Sequence, residues 1–136
     1  MRTLPAFSDQ CSGWLVQACR YWFPLTVYAG LIFYLSSLSH PEVYVPSLVM
    51  DLGDKILHAI EYGVLGILFY RVFRHAAGSW SAGHALLLAI IASATYGLTD
   101  ELHQAFVPLR EADGWDLLTD AIGAAIAAWP WHRIVG

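Results

Sequence analysis

Two segments of this 136-residue chain carry side chains spaced for shared chemistry. From Asp54 to Arg74, the residues Asp54, His58, Glu61 and Tyr62 recur at i, i+4, i+7 and i+8. A helix would place them on one face, with Lys55 about 100° around. Tyr96, Asp100, His103 and Gln104 repeat the spacing, with Glu101 one step around. Beyond Pro108 come Arg110, Asp113, Asp116 and Asp120. Asp116 and Asp120 share a face, and Asp113 suits a helix N-cap.

Acid–base chemistry needs titratable groups in different environments. Glu61, roughly 10 Å into its helix at about 1.5 Å per residue, and the shallower Asp100 provide them. The candidates for proton transfer are therefore His58, Glu61, Asp100 and His103. Lys55 and Arg110 suit a phosphate or another anionic head group, with Tyr62 and Gln104 beside them as substrate-binding candidates. Asp54, Tyr96, Glu101, Asp113, Asp116 and Asp120 form the supporting polar network. Each has a plainer reading: Glu61 as a strut, Asp113 as a cap, a single rim histidine as part of the packing. The repetition of one pattern on two helices is what favours a site. Imidazole and carboxylate also bind metals, and a pair built from His58 and His103 fits that chemistry. No His-x-x-x-His or His-Glu-x-x-His motif accompanies them, and neither a metal nor another cofactor is assigned.

The elements that must position these groups are apolar. Hydrophobic residues make up 57% and charged residues 13%, against about 25% charged in soluble domains. A membrane helix needs about 20 mostly apolar residues. The candidates are Tyr21–Leu38, Asp54–Arg74, Gly83–Thr99 and Asp116–Trp131. Pro24 falls in the first turn of the first, and Trp129-Pro130-Trp131 marks an interfacial end of the fourth. The first stretch exceeds the usual apolar core of a signal peptide, about 7–15 residues, and is expected to be a retained anchor. The expected fold is an all-α integral membrane protein, a compact four-helix bundle with an outward-facing polar cleft. Residues 1–20 precede the domain as a cytoplasmic segment, and residues 21–133 form it.

Charge orients the bundle. Arg2, Arg20, Arg71, Arg74 and Arg133 fall on one side, which the positive-inside rule makes cytoplasmic together with both termini and residues 75–82. Only Lys55 and Arg110 fall on the other. Of eleven Asp and Glu residues, Asp9 alone is on the cytoplasmic side. Residues 39–53 and 104–115 then face outward, with a weak signal for an interfacial helix over 43–52. Cys11 and Cys19 would be reduced thiols in a cytoplasmic tail. The basic residues are few and dispersed, so nucleic acid is not an expected partner. Gly63, Gly66, Gly123, Ala124, Ala127 and Ala128 recur at spacings that allow helices to approach closely.

The segments "YLSSLSHP", "DKILHAIEYGVLGILFYR" and "YGLTDELHQAFVPLREADGWDLLTDAIGA" resemble the VanZ-like family of small bacterial membrane proteins. The resemblance covers about residues 21–128. It carries the family's polar signature onto Ser36, Ser37, Asp54, Lys55, His58, Tyr62, Asp100, Glu101, His103, Gln104, Pro108, Arg110, Asp113 and Asp116. It implies a multi-pass protein of the bacterial inner membrane, and a link to low-level teicoplanin resistance through the founding member. An anionic lipid or lipid-linked envelope precursor is the expected partner, with a second copy or another membrane protein also open. Three readings follow: an envelope enzyme, a non-catalytic binder, or a scaffold whose polar network is structural.

Overall fold

The computed structural model describes residues 13–39, 54–109 and 114–135. Arg110, Asp113, Cys11, the 43–52 segment and the side chain of Asp54 lie outside the described residues. Among the described residues the fold is entirely helical: α1 Phe23–Ser36, α2 Asp54–His75, the short α3 Ser79–Gly83, α4 Ala85–Gln104 and α5 Gly114–Val135. Helices α2, α4 and α5 pack mutually, and α1 lies along α2 and α4.

The first helix begins earlier than its apolar run. Residues 13–17 are helical and lead through a π-helical turn, Ala18–Trp22, into α1. Pro24 stands in the first turn of α1, as expected, but the helical run already extends before it. The wide turn is the structural reason this is tolerated. Proline gives no N–H to the carbonyl four residues back, and a π-bulge accommodates such a break. That carbonyl, on Arg20, instead accepts a 3.4 Å hydrogen bond from Arg71.

The last helix also differs from expectation. It starts at Gly114 and continues through Pro130 to Val135 instead of closing at Trp131. So near the C-terminus proline removes few bonds, and side chains brace the final turns. Tyr70, fully buried, has its hydroxyl 2.9 Å from His132 Nδ1, and Trp131 packs against the same cluster.

The pattern of burial is inverted relative to a water-soluble protein. Ser93, Asp100, Glu101, Gln104, Asp116 and Asp120 are buried, while Ile56, Ile60, Leu87, Ile91, Ile122 and Ile126 are exposed. Apolar side chains outside and polar ones inside suit a lipid surround. Two helical stretches, Lys55–His75 and Ala85–Gln104, are long and apolar enough to cross a membrane.

Small residues set the spacing of α2 and α5, as their sequence positions anticipate. Gly66 lies so close to α5 that an added Cβ would stand 2.9 Å from Ala124 Cα. Gly123 faces the backbone of Ala59. Two tyrosines fasten α1: Tyr28 donates to the Glu61 carbonyl at 3.2 Å, and Tyr96 to the Ala29 carbonyl at 2.6 Å. Tyr96→Phe should cost about 0.5–1.5 kcal/mol. Thermal unfolding in detergent checks this, and an unchanged midpoint would show that the Tyr96 bond does not hold α1.

Candidate functional site

The site sits where the N-terminal turns of α2 and α5 meet the C-terminal turns of α4. Helix α2 presents Lys55, His58 and Tyr62, one or two turns apart. Helix α5 presents Asp116 and Asp120 one turn apart, and α4 presents Asp100, Glu101 and Gln104. The close α2–α5 approach at Gly63, Gly66 and Gly123 is what lets these short side chains meet.

Lys55 Nζ lies 2.8 Å from Asp116 Oδ1. His58 Nδ1 is 3.1 Å from Asp120 Oδ1, and His58 Nε2 is 4.0 Å from Asp116 Oδ2. One ligand atom each from His58, Glu101 and Asp116 lies within 4.8 Å of the others, and all three residues are buried. The Tyr62 ring is parallel to His58 at 6.1 Å. Asp120 packs against Gly97, where an added Cβ would collide with Oδ2. A side chain at 97 would fit only if that carboxylate moved. Gln104 Nε2 donates to Asp100 Oδ2 at 3.0 Å.

Buried oxygens here, Tyr62 Oη, Asp100 Oδ1 and Asp120 Oδ2 among them, have no hydrogen-bond partner among the described residues. A buried polar atom left so is destabilising by about 1–3 kcal/mol, so the region is polar beyond the needs of packing.

The structure divides the sequence candidates. His58, Tyr62, Glu101, Asp116 and Asp120 belong to one cluster, with Lys55 at its rim. Asp100 and Gln104 pair on the inner face of α4. His103 turns away towards α1: its Nε2 is 3.0 Å from Ser37 Oγ and its ring packs on Phe33 at 4.5 Å. Ser37 is thereby explained, as the α1 partner of His103. Glu61 is half-buried, and its carbonyl, not its carboxylate, accepts from Tyr28. A metal site built from His58 and His103 is replaced by a grouping of His58 with Glu101 and Asp116. The sequence signal for Glu101 was present in the Asp-Glu pair at 100–101. The inward face of α4 is wider than the expected spacing suggests: it keeps Asp100 and Gln104 and takes in Glu101 as well.

The family model described as VanZ/LLP1 matches residues 15–135. The chain belongs to the VanZ/LLP1 family. Its match spans all five helices and both sides of the cluster. The chain is also similar to the uncharacterised protein C11E3.10 of Schizosaccharomyces pombe, 28% identical over 85 residues. That alignment covers 62% of this chain and 49% of the relative, so the chain spans about half the length of the curated relative it matches. No solved structure matches the chain. Family and inverted burial together are those of a membrane protein.

Proposed function

We propose that the chain is a multi-pass membrane protein that holds an anionic lipid, or a lipid-linked head group, at the outer rim of a four-span bundle. The observation that carries this reading is the continuity of the polar cluster with an apolar groove. Lys55 belongs to both. Its ammonium meets Asp116, and its side chain, 54% exposed, stands at the mouth of a groove of about 590 Å³ between α2 and α5. Ile56, Ile60, Val64, Ile122 and Ile126 line that groove. An acyl chain lying there brings its head group to Lys55. The distribution of arginines supports cytoplasmic termini and an outward-facing cluster.

Proton transfer at that head group falls to His58, which Asp120 orients. Glu61, Asp100 and His103 are less directly placed. A bacterial inner-membrane location and an effect on teicoplanin sensitivity rest on the resemblance described above. A fungal relative favours a head group common to bacterial and fungal membranes, hence a phospholipid phosphate over a peptidoglycan precursor. The structural reading keeps one observation in its favour, the close fit of Asp120 against Gly97.

The test is native mass spectrometry of protein released gently from its own membrane. The wild type should retain a phosphate-bearing lipid. Lys55→Gln should lower the retained fraction at least several-fold, and Ile126→Trp should do likewise by filling the groove. Equal retention in all three would sink the lipid reading and leave the structural one.

A further inference from the structure

The geometry points to a divalent-cation site formed by His58, Glu101 and Asp116, with the cation as the bridge to the head-group phosphate. The bridging half of this rests on the lipid reading above; the cation site itself does not.

Charge is the first argument. Asp100, Glu101, Asp116 and Asp120 are four buried carboxylates at one end of the bundle. The cations that meet them among the described residues are Lys55 and, if protonated, His58. With His58 neutral, as a metal ligand must be, the described groups carry more negative than positive charge. Buried charge of that kind is neutralised by protons, by partners or by metal. It would also repel the phosphate that the groove and Lys55 bring to it. A divalent ion lowers that excess and gives the phosphate a counter-charge.

Geometry is the second. His58 is held from behind: Nδ1 lies 3.1 Å from Asp120 Oδ1, and Asp120 is itself fully buried. This is the carboxylate–histidine arrangement that orients metal-bound imidazoles and fixes Nε2 as the ligand atom. That nitrogen stands 4.0 Å from Asp116 Oδ2. The separation is too long for a hydrogen bond; two bonds of about 2.0–2.2 Å at a tetrahedral angle would set the donors about 3.4 Å apart, so a small inward shift of the side chains would close them on an ion. Asp116 can serve because its oxygens are divided. Oδ1 takes Lys55, and Oδ2 faces the histidine. Glu101 supplies the third donor, within 4.8 Å of the other two.

The donor set defines the ion. One imidazole and two carboxylates suit Mn²⁺ or Zn²⁺ better than a thiolate-seeking metal or an all-oxygen Ca²⁺ cage. Three protein ligands leave coordination positions open, as in metal sites that act on a substrate. A phosphate oxygen takes one of them, and Lys55, beside Asp116, is placed to contact the same phosphate.

The experiment is a titration of the purified, lipid-stripped protein in detergent with Mn²⁺, read by electron paramagnetic resonance and competed with Zn²⁺. One Mn²⁺ per chain, displaced by one Zn²⁺, is expected. Glu101→Gln and His58→Gln should each weaken binding at least tenfold. Asp120→Asn should weaken it about 10–100-fold through loss of orientation. Absence of a stoichiometric site in the wild type, or undiminished binding in Glu101→Gln and His58→Gln, would overturn the assignment. Should those variants fail to fold, nitrogen NMR of the wild type decides. Nε2 of His58 should shift on adding Zn²⁺, whereas an imidazolium protonated on both nitrogens and unmoved by Zn²⁺ overturns the site. Retention of phospholipid after chelation would overturn the bridging role alone. Binding of Mn²⁺ by a chain that retains no lipid, with or without the ion, would overturn the lipid reading and keep the metal site.

Discussion

Gly123→Ala is expected to destabilise the bundle by about 1–3 kcal/mol, the usual range for overpacking a close-fitted interior. The added methyl would fall on the carbonyl oxygen of Ala59, with Ala59 Cα at 2.8 Å. These are backbone atoms of α2 and cannot swing aside, so the two helices must separate. Gly66→Ala meets Ala124 Cα and Cβ at 2.9 Å and should behave similarly. Gly63→Ala should be milder, because its nearest neighbour is the Ala127 methyl at 3.2 Å. Gly30→Ala is the control, with nothing within 4 Å of the new Cβ. Thermal unfolding in detergent reads the series. A Gly30→Ala loss as large as that of Gly123→Ala would refute this account of α2–α5 packing. The same substitution should also impair whatever the site does, since His58 and its two aspartates stand on the helices that are forced apart.

Asp120→Ala should have the largest effect of any single side-chain truncation in the cluster, about 1–3 kcal/mol, the range for leaving a buried polar group without its hydrogen-bond partner. It removes the partner of His58 Nδ1 and leaves that ring buried beside Asp116. Asp120→Asn keeps an acceptor oxygen and should cost less. The fit against Gly97 supplies a sharper test. Gly97→Ala alone should be harmful, because the methyl collides with Asp120 Oδ2. In an Asp120→Ala background the same methyl enters space that the carboxylate has left, so the added loss should be small. A double-mutant cycle measures this coupling. Strict additivity would show that Asp120 does not rest on Gly97.

The small-residue spacing was legible because a missing side chain has one consequence in a helix, close approach, wherever the helix packs. Gly63, Gly66, Gly123 and Ala124 therefore read correctly one residue at a time. The polar pattern was legible as a set but not as an arrangement. Spacing alone places Asp100, His103 and Gln104 on one face. It does not say which neighbouring helix each residue meets, and the packing of α1 draws His103 to Ser37 and Phe33 while Glu101 enters the centre. The end of α5 was read too short for a related reason. Trp129-Pro130-Trp131 was taken as its boundary, whereas the Tyr70–His132 contact beyond Pro130 accompanies a helix that continues to Val135.

The inverted burial also bears on how such a chain would be made. In the four-span arrangement proposed above, α5 brings Asp116 and Asp120 to the membrane in its first two turns, where an aspartate opposes insertion of a lone helix by less than the about 2.5–3.5 kcal/mol it costs at the centre. Helix α5 is last in chain order, however, and its counterparts Lys55, His58 and Gly97 are on helices synthesised before it. It would enter beside a surface already prepared to receive its carboxylates. Insertion of α5 thus becomes conditional on α2 and α4, and the order of the genetic message doubles as an assembly sequence.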